Sequence, residues 1–362
     1  MHNLRFADWT SIEDLCYRYF GARPSSEALR LLKSMEGGGP EVRSFAERTL
    51  WLMKICRLDP SNISPAMAWW IANLLPQLLL RASAGDVPAI TMEGRHHRID
   101  DYLAANVFGS TLFDIGCAFP PLATLDTAAR FPAWKVMGVD STLGDLTEYR
   151  RSNLSFIQAS IGDELPQADA VRCMNVLLYY GPDFRARTES WLAGILRPGG
   201  LFICGANGWH SVESRYSVYR NEDGRLVARE FAFSLDNIRP FTGVPWLTLY
   251  DDERETWLLA KLAGTLRSDE GFRRDYDARL DLLLGESNIL ERDPDGRLRT
   301  PAAPVSAEEW RAAYEGILGQ MEESFVDRAV SVLQAAGLRA WRNAASHVAI
   351  DPLQIIVDCG GE

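Results

Sequence analysis

The stretch Leu112-Phe113-Asp114-Ile115-Gly116-Cys117-Ala118-Phe119-Pro120-Pro121 decides how this chain is read. An apolar run carrying one acid ends in a glycine, and Pro120 then suits the first turn of a helix. Strand, glycine turn and helix in succession open a parallel sheet covered on both faces. The same rhythm recurs downstream. Strands are expected at 112–115, 135–139, 154–158, 170–174 and 200–204.

After Gly208 the alternation stops for about a hundred polar-rich residues. A helix at 324–336 and strands at 338–342 and 353–358 then close the same sheet. The expected fold is therefore α/β, a doubly wound sheet of seven strands formed by 108–208 and 324–362. Residues 209–323 read as a large insertion after the fifth strand. Such an insertion sits over the C-terminal edge, where open sheets bind ligands, and is expected to cover the substrate.

Upstream, 1–107 reads as helical. Thr10 and Glu13 form a capping box ahead of Ile12, Leu15 and Tyr19. Ser25 or Ser26 caps a second helix with Leu29, Leu32 and Met35, stopped by Gly37-Gly38-Gly39-Pro40. Further helices are expected at 41–57 and 63–83, and such a region packs as a bundle or lends a face to a homodimer. A short strand at 89–92, a turn at 93–95 and a helix at 100–107 lead into the sheet. The 63–80 stretch is Leu- and Trp-rich, but Pro65, Pro76, Asn73 and Gln77 make it a core or interface helix rather than a membrane span.

Lys plus Arg total 38 against 49 for Asp plus Glu, a net charge of -11 over 362 residues. That balance repels phosphate backbones and anionic lipid, so neither nucleic acid nor membrane is the expected partner. Six cysteines without paired short spacings read as reduced thiols, and with no apolar leader at the N-terminus the expected location is cytoplasmic. His96 and His97 are adjacent and point apart in an extended segment, and Asp251-Asp252 reads as a turn or cap, so no metal is expected.

The Asp114 turn resembles the first motif of class I S-adenosylmethionine methyltransferases, an acid followed by glycines at alternate positions. Gly116 would admit the methionine moiety, and Asp114 would hold local backbone or the ligand's ammonium. Ala118 and Pro120 stand where the family most often has glycine, the alanine adding only small bulk. Asp140, twenty-six positions after Asp114, ends the second strand where the family places the acid that binds both ribose hydroxyls. The other reading of Asp140 is a cap on a helix starting near Thr142. Ser141 follows it. Ser160 and Ile161 match the places set against adenine, and Leu196-Arg197-Pro198-Gly199-Gly200 is similar to the turn before the family's fifth strand. The resemblance covers 112–205 and the final helix and strands.

What the resemblance implies is a methyltransferase using S-adenosylmethionine on a small molecule or peptide, at oxygen, nitrogen or sulfur. Methyl transfer from a sulfonium is an in-line displacement, helped chiefly by positioning. Where the acceptor must lose a proton, His210 is the best placed base. Asn175 and Tyr180 follow the fourth strand, where the family orients the acceptor or covers the cofactor. The string Arg-Cys-x-Asn-Val-Leu-x-Tyr is similar to one in chemotaxis-receptor glutamate methyltransferases, a pointer to carboxylate acceptors. In the insertion, Arg215, Tyr219 and Arg239 are cations and an aromatic suited to acceptor recognition. The alternative is a non-catalytic binding or assembly module on the same fold. A dinucleotide oxidoreductase needs Gly-x-Gly-x-x-Gly or Ala, and 116–121 fails that pattern.

Overall fold

The computed structural model describes Lys33 and residues 91–354, apart from 145, 178–179, 181, 209–210, 239–252, 293, 295, 297 and 300–304. The expected helices of 1–83 and residues 89–90 of the strand expected at 89–92 lie outside the described residues, as does 355–358, and the described 91–92 form no strand.

Helix α1 (His97–Asn106) precedes β1 (Thr111–Ile115), α2 (Leu122–Arg130), β2 (Lys135–Asp140), β3 (Leu154–Gln158), β4 (Ala168–Met174), α3 (Pro182–Ile195) and β5 (Leu196–Asn207). Strands β1 to β5 pair in parallel in the order β3-β2-β1-β4-β5. The order reverses between β1 and β4, the point at which an open α/β sheet leaves a crevice beyond its carboxyl edge. Successive side chains serve opposite faces. Leu112, Ala170, Leu201 and Ile203 pack with Ile99 and Leu103 of α1. Phe113, Val171, Phe202 and Cys204 pack under α3 through Leu192 and Ile195.

Among the described residues the sheet has nine strands, not seven. Within the stretch read as an insertion, β6 (Ser214–Glu222) and β7 (Arg225–Phe233) form a hairpin that pairs antiparallel to β5. The strand expected at 338–342 is β10 (Ala340–Arg342) at the sheet edge, and a strand that the sequence reading did not place, β11 (Val348–Ile350), joins it to β7. Residues 353–354, expected to start the last strand, are turn. The turn at 196–200 is absorbed into β5 as a bulge, where the pairing slips between Ala168 and Ala170 and Gly199 takes φ +78°.

Three further helices pack together: α4 (Glu253–Ser268), α5 (Glu270–Glu286) and α6 (Ala307–Ala335). Between α5 and α6, β8 (Glu291–Arg292) and β9 (Leu298–Arg299) form a separate two-stranded ribbon. Helix α6 begins at a capping box between Ser306 and Glu309, seventeen residues before the start expected from the sequence. Among the described residues no helix is long and apolar enough to cross a membrane.

Candidate functional site

The ends of β1 to β4 bring Gly116, Ala118, Asp140, Ser160, Ile161 and Asn175 to one edge of the sheet. The turn after β1 is pinned to β2, since Gly116 N donates to Val139 O at 2.7 Å. Gly116 has φ +75°, and a Cβ there would stand 2.3 Å from Val176 Cγ2. Both reasons demand glycine. Ala118 also lies in the left-handed region, at φ +63°. Its cost is therefore conformational, about 1–2 kcal/mol, rather than the matter of bulk that the sequence suggested.

That strained residue directs its N–H to Asp140 Oδ2 at 3.1 Å, while Oδ1 accepts from Thr142 N at 3.1 Å. A carboxylate has about four lone-pair sites. Each oxygen of Asp140 has used one and keeps another, on a half-buried side chain. No α-helix begins at Thr142 among the described residues, only a 3₁₀ turn at Thr147–Tyr149. Asp140 is thus not a helix cap.

Asp114 belongs elsewhere. Its carboxylate is 4% exposed and accepts from Arg172 Nε at 3.0 Å, Arg172 Nη2 at 2.7 Å and Thr124 Oγ1 at 2.6 Å. Arg172 also donates to Asp100, which receives Thr127 Oγ1 at 2.8 Å. The acid before the glycine therefore supports the turn from inside and does not face a ligand. Burial pushes the Asp100 carboxyl up to about 6, with the Arg172 guanidinium pulling the other way. Burial likewise holds the Cys117 thiol well above its ordinary range, which leaves it protonated and inert.

Asn175 sits at φ +59° and joins β4 to β5. Its N–H donates to Gly205 O at 2.8 Å and its Oδ1 accepts from Asn207 N at 3.0 Å. Its Nδ2 is buried without a hydrogen bond, a deficit of about 1–3 kcal/mol that a ligand acceptor would remove. Ser160 has an exposed side chain in a turn closed by its N–H on Asp163 Oδ2 at 2.7 Å, and Ile161 is half-buried. Ser141 is exposed, and its carbonyl accepts from Gln158 Nε2 at 3.2 Å. The sequence did not single out Phe119, which is 41% exposed beside the cradle with its ring edge-on to Tyr149 at 6.0 Å. Gly144 is the readable signal there, because a Cβ on it would strike the Phe119 ring at 2.8 Å.

The residues expected to meet an acceptor divide. Arg215 is buried at the start of β6 and lines a cavity with Asn207, Glu213 and Asp236. Tyr219 does not reach the edge. Its ring stacks on Phe202 at 5.6 Å and its hydroxyl donates to Glu255 Oε1 at 3.4 Å, because its place in β6 points it under α3. Tyr180 stacks on Phe184 at 4.1 Å, and burial raises its hydroxyl further above its ordinary value, so it holds its proton. His210 and Arg239 lie outside the described residues.

No family model matches the chain, and no curated protein matches it. Solved structures that match include PKMT2 from Rickettsia typhi in complex with AdoHcy, 18% identical over 33% of this chain and 26% of that one, with a TM-score of 0.27. Another is the N-methyltransferase NodS from Bradyrhizobium japonicum WM9 with S-adenosyl-L-homocysteine, 20% identical over 30% and 58%, TM-score 0.25. A third is the glycopeptide N-methyltransferase MtfA with sinefungin, 14% identical over 37% and 59%, TM-score 0.28. The matched part spans about a quarter of the first and under two thirds of the others.

Proposed function

We propose that the chain is a methyltransferase that takes its methyl group from S-adenosylmethionine and passes it to a small molecule or peptide. The observation that carries this reading is Asp140. Its carboxylate stands at the end of β2, braced by two backbone N–H groups and left with one acceptor site on each oxygen. Two vicinal ribose hydroxyls need that arrangement, and a phosphate would be repelled by it.

The rest of the cradle fits the same ligand. Asn175 Nδ2 supplies an unused donor, and Ile161 and Phe119 give apolar surface of the kind an adenine ring covers. The bound cofactor supplies an electrophilic methyl on a sulfonium. The chain's contribution is to fix the donor at the β1 and β2 ends and to hold the acceptor in line from the β4 and β5 ends. Tyr180 keeps its proton, so a role for it is to orient rather than to accept a proton.

Calorimetric titration of S-adenosylmethionine and S-adenosylhomocysteine into wild type and Asp140→Ala tests the reading. Binding by wild type that falls at least tenfold in the variant is expected, since two hydrogen bonds to a charged group are lost. Equal affinity in the two proteins would remove Asp140 from the site. Absence of binding by wild type, with no copurified ligand found by mass spectrometry, would favour a non-catalytic module.

A further inference from the structure

The chain enters its sheet at the carboxyl edge. Gly94 N donates to Asp126 Oδ2 at 3.0 Å and His97 Nε2 lies 2.5 Å from the same oxygen, so the turn at 93–96 is fastened to α2. Arg95 fastens it to the end of β5, donating from Nε to Gly208 O and from Nη2 to Asn207 O, both at 3.0 Å. Helix α2 opens straight after the cradle turn, and Asp126 stands about 6 Å along it. From Gly94 back to residue 91 is ~10 Å at most, so residues 1–90 are joined to the body within roughly 20 Å of the turn at 116–121.

Apolar surface stands open at that edge. Phe119 is 41% exposed, and Leu143, Ile161 and Val176, on the turns after β2, β3 and β4, are half-buried. Helix α4 is held elsewhere, against α3 and β6, where Glu255 accepts from Arg185 Nη2 at 2.8 Å and from Ser217.

The matching surface in the sequence is 63–80, which holds no Asp, Glu, Lys or Arg and carries Trp69, Trp70 and five leucines. Such a stretch is driven out of water, each buried tryptophan removing about 150–250 Å². Residues 81–90 link it to the anchored turn and span up to about 35 Å, more than the distance to the cradle. A flexible tether of that kind holds a segment at an effective concentration on the order of millimolar, an advantage that a second copy or an outside partner lacks.

Resting on the methyltransferase reading above, we propose that 63–80 is the cover of the proposed site: it docks on the carboxyl edge over Phe119 and closes the cofactor cradle from water. Exclusion of water shields a reactive methyl donor from side reactions. The cover must then lift for the cofactor to exchange.

Photocapture tests the docking without any ligand. The full chain with p-benzoylphenylalanine in place of Phe119 is irradiated as a mixture of unlabelled and ¹⁵N-labelled protein, and the joined peptides are read by mass spectrometry. Capture of 63–80 within one chain is expected. Capture of 209–323, of peptides from a second copy, or of no peptide would overturn the proposal. The closing role is read with Phe119 in place: Trp69→Ala with Trp70→Ala should speed release of S-adenosylhomocysteine about tenfold, since such changes appear mainly in the off-rate. An unchanged release rate would remove the cover from the site. Capture of 63–80 in a protein that binds no S-adenosylhomocysteine would leave the docking standing and sink the cofactor reading. Binding of S-adenosylhomocysteine without that capture would do the reverse.

Discussion

Replacing Arg172 with methionine tests how the cradle is supported. The guanidinium is fully buried, grips both oxygens of Asp114, and also donates to Asp100 and to Thr127 Oγ1 at 3.0 Å. Methionine keeps the apolar stem and removes the charge. Two buried carboxylates then lose their cation, with Arg130 Nη1 at 3.8 Å from Asp100 as the remaining counter-charge. Breaking a buried pair from one side costs about 3–5 kcal/mol, against a total stability of about 5–15 kcal/mol for a typical protein.

Protonation gives a second handle on the same variant. Burial already raises Asp100 to about 6, and losing Arg172 raises it further. A carboxyl whose folded pKa is raised contributes stability that is complete below its unfolded value and is lost as pH rises through the folded one. The penalty of Arg172→Met should therefore be small near pH 4 and grow steadily towards pH 8. Urea unfolding of both proteins at pH 4.5, 6 and 7.5, followed by tryptophan fluorescence, measures it. A penalty under about 1 kcal/mol at pH 7.5, or one that shrinks as pH rises, would refute the account of Asp114 and Asp100 as carboxylates held by one cation.

Gly116→Ala should cost about 2–4 kcal/mol from the Val176 clash and the left-handed backbone, and Val176→Ala in the same chain should return only the steric part, read by thermal unfolding. Ala118→Gly relieves a left-handed alanine and should gain roughly 0.5–1 kcal/mol after the entropy of the unfolded glycine is subtracted, visible as a raised Tm. Glu322 is held up to about 8 chiefly by burial, so its contribution is complete below its unfolded value near 4.5 and is lost as pH rises through 8. Glu322→Gln cannot ionise and should flatten the fall in Tm between pH 7 and 9. An unchanged alkaline slope would show that Glu322 is not the group responsible.

Strands β1 and β4 were legible because parallel strands buried on both faces read as apolar runs, and the others followed from the spacing of the strand-helix rhythm. The hairpin of β6 and β7 was not, because β6 is buried yet polar. Asn221 Nδ2 donates to Leu196 O at 2.7 Å, Ser217 donates to Glu255, and Tyr216 OH accepts from Asn343 Nδ2 at 2.9 Å. Hydropathy registers such residues as surface, since it does not see the partners that satisfy them. The missed signal was Asp223-Gly224. Both have positive φ, 51° and 79°, between paired Glu222 and Arg225, the two-residue turn that matches strand twist. Asp114 and Asp140 show the same limit at the site, since two acids at adjacent strand ends differ in role only through Arg172, fifty-eight residues after the first.

The link between the two halves of the site follows from backbone conformation more than from side-chain type. The left-handed turn at Ala118 sends its N–H to Asp140, and the left-handed Asn175 sends its Oδ1 to the backbone of Asn207. Between them Val176 packs against the bare backbone of Gly116. Non-glycine residues at positive φ cost free energy and persist where the surroundings over-determine them. Here both stand at the reversal of strand order, one bracing the carboxylate of the proposed cofactor site and the other the backbone of Asn207. Strain held at that place ties the ends of β1, β2, β4 and β5 into one edge, which is the geometric condition that the proposed in-line transfer sets.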